Sequence, residues 1–231
     1  MRGCFDPPMP EATCSAVLLD IDGTLVDTNY LHVDAWSRAV QDVGADAEDW
    51  RIHRAVGMDS GRLIATLLGD DAERLGDAVK ERHREHYARN RPRMRLLAGA
   101  RELLAELHGR GFRVVLATSA TPDEFAMLTD VLQADEWVTT VTTSEDVSEA
   151  KPAPDVVGVA LEKADVEAAD AILVGDAVWD AESAERAGVR CVGVRTGGAG
   201  EQELLDAGAL AVYEGAAHLL RELDASPLYE R

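Results

Sequence analysis

The chain has 231 residues, of which 46% are hydrophobic, and a formal net charge of −20. That length and apolar content admit one large or two modest domains with a real core, and the charge argues against nucleic acid as a routine partner. No apolar run approaches the roughly 20 residues of a membrane span, and Cys4, Cys14 and Cys191 are odd in number and lack metal-ligand spacing, which argues against a disulfide framework or a zinc site.

The first fourteen residues, MRGCFDPPMPEATC, carry three prolines and no apolar centre of a signal peptide, so 1–14 reads as a poorly ordered leader. A cytoplasmic protein is expected, monomeric or homodimeric, with neither membrane nor nucleic acid as partner. The apolar run 16–19 forms a strand that stops where charge begins, at Asp20-Ile21-Asp22-Gly23. Residues 28–92 look helical throughout, over 32–43, 48–56, 60–68 and 72–89, with no convincing strand. After residue 95 strands and helices alternate. Helix 99–109 keeps Leu103, Leu104 and Leu107 on one stripe and ends at Gly109/Gly111. Strand 113–117, helix 122–133 and strand-like 138–141 follow, then helix 154–164 after Pro152 and strand 171–174. Helix 180–187 stops at Gly188, and strand 190–194, which holds Cys191 as a core residue, meets the loop TGGAG (196–200). Helix 201–207, strand 211–213 and helix 215–223 close the chain. Repeated βα units predict an α/β fold with a doubly wound parallel sheet covered by helices on both faces. The all-helical stretch 28–92 reads as a smaller domain inserted over the carboxyl edge of a core built from 15–27 and 93–231, with connections near 26–28 and 90–97.

Chemistry concentrates at the ends of the strands. Strand residues two apart point the same way, so Asp20 and Asp22 aim at one point on the edge where open α/β sheets bind ligands. Two close carboxylates repel unless a cation or a shared proton intervenes, which suggests a nucleophile beside an acid/base with a metal ion near. An EF-hand loop fails, because its fifth, sixth and twelfth positions would be Thr24, Leu25 and Leu31. Further strand ends carry Thr118-Ser119, Lys151-Pro152 and Gly175-Asp176, with Asp180 four residues on. Each alone reads equally as a helix cap or a surface residue; together, in order, they read as a site for phosphoryl transfer. A phosphate dianion beside Asp20, Asp22 and Asp176 gathers about five negative charges, and each like-charge pair costs about 4 kcal/mol at roughly 4 Å and an effective dielectric of about 20. Such a site needs a hard divalent cation, Mg2+, and a fixed positive group. Lys151, one of only three lysines with Lys80 and Lys163, supplies it, and the Thr118 hydroxyl donates to a phosphoryl oxygen. Asp180 either touches the water shell of the metal or orients Lys151.

The segments DIDGTLVD (20–27), LATS (116–119), KPAPD (151–155) and GDAVWD (175–180) resemble the haloacid dehalogenase superfamily, in its phosphatase branch with a helical cap after the first motif. The resemblance spans nearly all of the chain from about residue 15. It implies a Rossmann-like core with a mobile cap, Asp20 as the nucleophile that forms an aspartyl-phosphate, and Asp22 as general acid/base. It further implies Mg2+ on the Asp20 carboxylate, the Asp22 backbone carbonyl and Asp176, with Thr118, Ser119 and Lys151 on the phosphoryl group. Members that act on carbon lack the second Asp, so Asp22 favours phosphate chemistry over dehalogenation. The stretch DTNYLHVDAW (27–36) and KPAPD also resemble β-phosphoglucomutase. Those mutases usually carry an acidic pair where this chain has Gly175-Asp176, and a cap Arg where it has Ser60; both departures favour hydrolysis.

The expected activity is Mg2+-dependent hydrolysis of a small phosphorylated metabolite, as in phosphoglycolate phosphatase, with a sugar phosphomutase or a silent binding protein of the same fold as alternatives. Specificity is expected in the cap, at His32, Trp36 and the loop Gly57-Met58-Asp59-Ser60, since fold alone does not set substrate. His32 and Trp36 lie one turn apart, facing either substrate or the cap interior. Asp27 reads as the cap of the first helix, and Trp179 as a wall of the site or a residue packed under its helix. The arginine-rich run 81–95 reads as a solvated face with stems over apolar surface rather than a steering rim, and TGGAG, lacking G-x-G-x-x-G spacing, as a plain glycine turn.

Overall fold

Four apolar residues with no polar interruption make β1 (Ala16–Leu19) a strand buried on both faces. The computed structural model describes residues 12–146, 153 and 155–229. β2 (Val26–Asp27) leads into α1 (Asn29–Asp42), α2 (Asp49–Ala55), α3 (Ser60–Leu68) and α4 (Ala72–Arg89), and β3 (Arg95–Leu96) returns the chain. Next come α5 (Ala100–Gly109), β4 (Arg113–Ala117), α6 (Pro122–Leu132), β5 (Thr140–Thr142) and α7 (Asp155–Ala164). β6 (Ala171–Gly175), α8 (Val178–Arg186), β7 (Arg190–Val194), α9 (Glu201–Asp206), β8 (Ala209–Tyr213) and α10 (Ala216–Arg221) complete the order.

The strands form one parallel sheet in the order β5-β4-β1-β6-β7-β8, with β1 at its centre between β4 and β6. Alternate residues face opposite layers. Val17, Leu19, Val114, Leu116, Ile172 and Val174 pack with Leu103, Leu107, Leu128 and Leu219 on one side. Ala16, Leu18, Val115, Ala117 and Leu173 pack with Val156, Val157, Ala160, Ala181 and Ala184 on the other. This is the doubly wound sheet that the alternating pattern predicts, and the Rossmann-like core that the resemblance implies.

Helices α1–α4 bury a cluster of their own, among them Val33, Trp36, Ile52, Leu63, Ile64 and Val79. At their two connections β2 and β3 pair antiparallel, Val26 with Leu96 and Asp27 with Arg95, a ribbon too short to leave a period in the sequence. Asp27 is therefore a strand residue, exposed, and not the cap it was expected to be; Thr28 precedes α1. Helix α8 begins at Val178 rather than 180, because the Asp180 carboxylate reaches back to accept the Ala177 N–H at 3.1 Å. Two residues of the expected leader, Thr13 and Cys14, are held against the core. The Thr13 N–H donates to the Leu228 carbonyl at 2.7 Å, and Cys14 is buried, while residues 1–11 lie outside the described residues.

Candidate active site

Three parallel strands deliver the polar residues. Asp20 follows β1, Thr118 follows β4 and Asp176 follows β6, so adjacent strands with aligned registers bring them to one edge. After Asp20 the chain turns tightly: the Ile21 carbonyl accepts from the N–H groups of Leu25 and Val26 at 2.9 Å each, with Gly23 at φ +77°. A cavity of about 290 Å3 opens above this edge, lined by Asp20, Asp22, Thr118, Ser119, Asp176 and Asp180 from below. Helix α1 contributes His32 and Trp36, and the turn from α2 into the start of α3 contributes Gly57, Met58, Asp59 and Ser60, every specificity candidate the sequence nominates. Lys151 falls outside the described residues, and its place is not part of this geometry.

Ligand oxygens of Asp20, Asp176 and Asp180 lie within 4.8 Å of one another, and all three residues are buried. Asp176, 3% exposed, accepts from Thr24 Oγ1 at 3.1 Å and Asn29 Nδ2 at 2.7 Å. Three buried carboxylates gathered this closely are a donor set of the hard-oxygen kind that a divalent cation fits. Glycines let the carboxylates come this close. A Cβ on Gly175 would lie 2.5 Å from Asp180 Cβ, and one on Gly197 would overlap Asp176 Oδ2. The TGGAG loop is thus a backbone wall of the acidic cluster, with the Gly197 carbonyl also facing Asn29 Nδ2 at 3.3 Å and His53 Nε2 at 2.9 Å.

Asp22 points away from that cluster. Its Oδ1 accepts from Thr28 Oγ1 at 2.6 Å and Tyr87 Oη at 3.2 Å, and faces His32 Nε2 at 3.4 Å. Burial works against the Asp22 carboxylate. The hydrogen bond and charge of His32, with the Thr28 and Tyr87 bonds, outweigh it and hold the carboxyl below its ordinary value. His32 is desolvated too, yet Asp22 and the Glu124 charge raise it. His83 lies behind His32, and burial followed by the positive charge of its neighbours pushes it well below an ordinary imidazole. Tyr87 is driven far up by burial and by Asp22, so it remains a donor. For the phosphoryl end, Thr118 Oγ1 accepts the Ala120 N–H at 3.1 Å and keeps its own proton to offer the cavity. The Ser119 hydroxyl is buried without a hydrogen-bond partner among the described residues.

His32 and Trp36 line the cavity and also pack on other rings, so the two readings of them are not exclusive. Trp179 lies outside the main cavity, where a Cβ on Gly57 would meet its ring at 3.2 Å. In the run 81–95 the arginines are largely exposed and paired, Arg82 with Glu85, Arg84 with Glu81, Arg91 with Asp130 and Arg93 with Asp34. Arg84 nevertheless reaches the cavity, as does Lys80 one turn earlier, which makes no ion pair or hydrogen bond among the described residues. Sequence reasoning missed Thr24, Asn29, Lys80, His83, Tyr87 and Glu124. Only Lys80 carried a signal, the scarcity of lysine in a chain that otherwise uses arginine.

A profile of the haloacid dehalogenase-like hydrolases matches residues 17–194. A protein of Dickeya dadantii named a probable phosphatase is 31% identical over 228 residues, spanning 92% of this chain and 97% of its own. A phosphoglycolate phosphatase of Cupriavidus necator is 31% identical over 220 residues, with 93% and 92% of the two chains covered. Among solved structures, a hydrolase from Pseudomonas syringae aligns with a TM-score of 0.85 at 32% identity, covering 92% of this chain and 98% of that one.

Proposed function

This chain belongs to the haloacid dehalogenase-like hydrolases, on their phosphatase side, and we propose that it hydrolyses small phosphate monoesters with Mg2+ through an aspartyl-phosphate on Asp20. One observation carries the reading. Asp20, Asp22 and Asp176 meet Thr118 and Ser119 in one cavity at the sheet edge, roofed by helices that bring their own polar residues.

In this mechanism the Asp20 carboxylate attacks phosphorus and forms the acyl phosphate, while the bond to the leaving oxygen breaks. Asp22 gives that oxygen its proton and departs from the step as carboxylate. It then takes a proton from the water that attacks the acyl phosphate, which releases inorganic phosphate and regenerates Asp20. A phosphate dianion placed beside Asp22 adds like charge, which raises the affinity of Asp22 for the proton it must pass on. Thr118 and Ser119 donate hydrogen bonds to phosphoryl oxygens, and Lys151 is assigned the balancing positive charge. Asp20, Asp176 and the Asp22 backbone carbonyl would hold Mg2+, with Asp180 beside them, and the ion would neutralise charge on the transferring group. The segment 28–92 acts as a cap that excludes water during transfer and reads the rest of the substrate.

Lys80 narrows the class. An ammonium that has no ion pair among the described residues and lines the cavity of a chain at net charge −20 favours a substrate with a second anionic group, a phosphorylated small acid such as the phosphoglycolate named for the Cupriavidus relative. Phosphate release from a panel of phosphorylated acids, alcohols and sugars, with Mg2+, tests the proposal. Asp20→Asn should abolish turnover with the fold intact. Isomerisation of a hexose phosphate dependent on a bisphosphate, without phosphate release, would replace hydrolysis with the mutase reaction.

A further inference from the structure

Behind Asp22 a file of polar side chains runs from the helical segment into the core, and no step of the reaction uses its far end. His32 Nε2 faces Asp22 Oδ1 at 3.4 Å, His32 Nδ1 meets His83 Nε2 at 3.1 Å, and His83 Nδ1 lies 3.9 Å from Glu124 Oε1. The residues come from α1, α4 and α6, so the file crosses from the helices over the cavity to a helix that packs on the sheet.

The ring geometry decides what this cluster is. The two imidazole centroids are 5.3 Å apart with planes within 12°. Combined with a 3.1 Å nitrogen separation, that describes rings lying edge to edge in nearly one plane, sharing an N–H···N hydrogen bond. Face-to-face stacking at that centroid distance would part the nitrogens further. A metal ion would instead need both lone pairs to converge on a third point. Each ring is clamped from its face, His32 by Tyr87 at 4.0 Å and His83 by Trp36 at 3.9 Å. The far end is anchored as well. Glu124 is buried and its Oε2 accepts both the N–H and the hydroxyl of Thr121 at 2.9 Å, which leaves Oε1 turned to His83. At 3.9 Å that last link is too long for a direct hydrogen bond; the Glu124 charge acts past the neutral His83 on His32, which it raises.

We propose that His83 and Glu124 are positioning residues for the general acid/base: with Glu124 anchored on α6, they fix the ring of His32, and through it the side chain of Asp22. The proposal rests on the assignment of Asp22 as the acid/base, and the experiment separates the two.

The first step alone, release of the leaving group in a single turnover, is measured with an alkyl phosphate, whose leaving oxygen needs a proton, and with p-nitrophenyl phosphate, whose leaving group does not. Glu124→Gln keeps the Thr121 contacts while losing the charge, and His83→Ala removes the middle of the file. Each should lower the single-turnover release rate for the alkyl ester by about tenfold or more, a fraction of what general acid catalysis supplies, with substrate binding nearly unchanged and p-nitrophenol release largely kept. His83→Gln, which restores a polar group towards His32, should recover most of the loss. Equal losses on both esters, or none, would overturn the positioning role. If Asp22→Asn itself turns over the alkyl ester normally, the acid/base assignment fails first, and the two failures are told apart.

Discussion

Gly197 offers the sharpest perturbation of the acidic cluster. Its φ is not positive, so Gly197→Ala brings no backbone strain and only adds a methyl group. That Cβ would overlap Asp176 Oδ2 and stand 2.6 Å from both Asn29 Nδ2 and Asp176 Cγ. Restoring contact distances of about 3.5 Å requires the carboxylate and its amide partner to move on the order of 1 Å. A displacement of about 1 Å in a catalytic constellation costs roughly a hundredfold in rate, about 2.7 kcal/mol of barrier. Separating Asn29 from a buried charged acceptor adds a stability loss of about 1.5–3 kcal/mol, which for a chain of this size lowers Tm by roughly 3–12 °C. The assay is kcat/KM across a Mg2+ titration, with Tm measured in parallel. Gly158→Ala serves as control. It lies within α7 with nothing within 4 Å of the added methyl, so it should gain about 0.8–1 kcal/mol of helix stability at unchanged activity. A Gly197→Ala enzyme with wild-type kcat/KM and wild-type Mg2+ requirement would refute the idea that this loop holds Asp176 in its working place.

Chelation should remove activity and Mg2+ restore it, while Asp176→Ala should raise the Mg2+ requirement or eliminate turnover; full activity in excess chelator would sink the metal assignment. Lys80→Met, which keeps the stem and removes the charge, should reduce kcat/KM about tenfold for a phosphorylated acid, equivalent to about 1.4 kcal/mol, and change a phosphorylated alcohol little. An equal effect on both would place the second anion elsewhere. Burial, opposed by Arg190 and aided by Asp170, raises the Cys14 thiol from 9.0 to about 11. The fold therefore disfavours the thiolate: its contribution is fully present below pH 9.0 and is lost as pH rises to about 11, roughly 2–3 kcal/mol at most. Urea unfolding of wild type and Cys14→Ala between pH 8 and pH 11 should show the steeper fall in wild type, and parallel curves would contradict it.

What the sequence determined is what neighbours along the chain can determine. Apolar runs of four or five residues name β1, β4, β6 and β7 nearly to the residue, and their polar ends name Asp20, Thr118 and Asp176. Amphipathic spacing marks α3 and α4 at the residues where they form, because burial of one helical face is a local pattern. The tertiary structure alone decided the partners. Thr24 and Asn29 meet Asp176 across 152 and 147 residues, and Tyr87 meets Asp22 across 65. Nothing beside those residues in the chain announces the meeting. It follows from the parallel crossovers that lay β6 next to β1, and from the packing of α4 against α1. The two-residue ribbon of β2 and β3 was hidden for a related reason: its stability comes from closing the two connections on each other, not from any periodicity of its own. Whether a glycine is a turn or a wall is decided in the same way, since Gly197 matters only for the Asp176 carboxylate that the folded sheet sets against it.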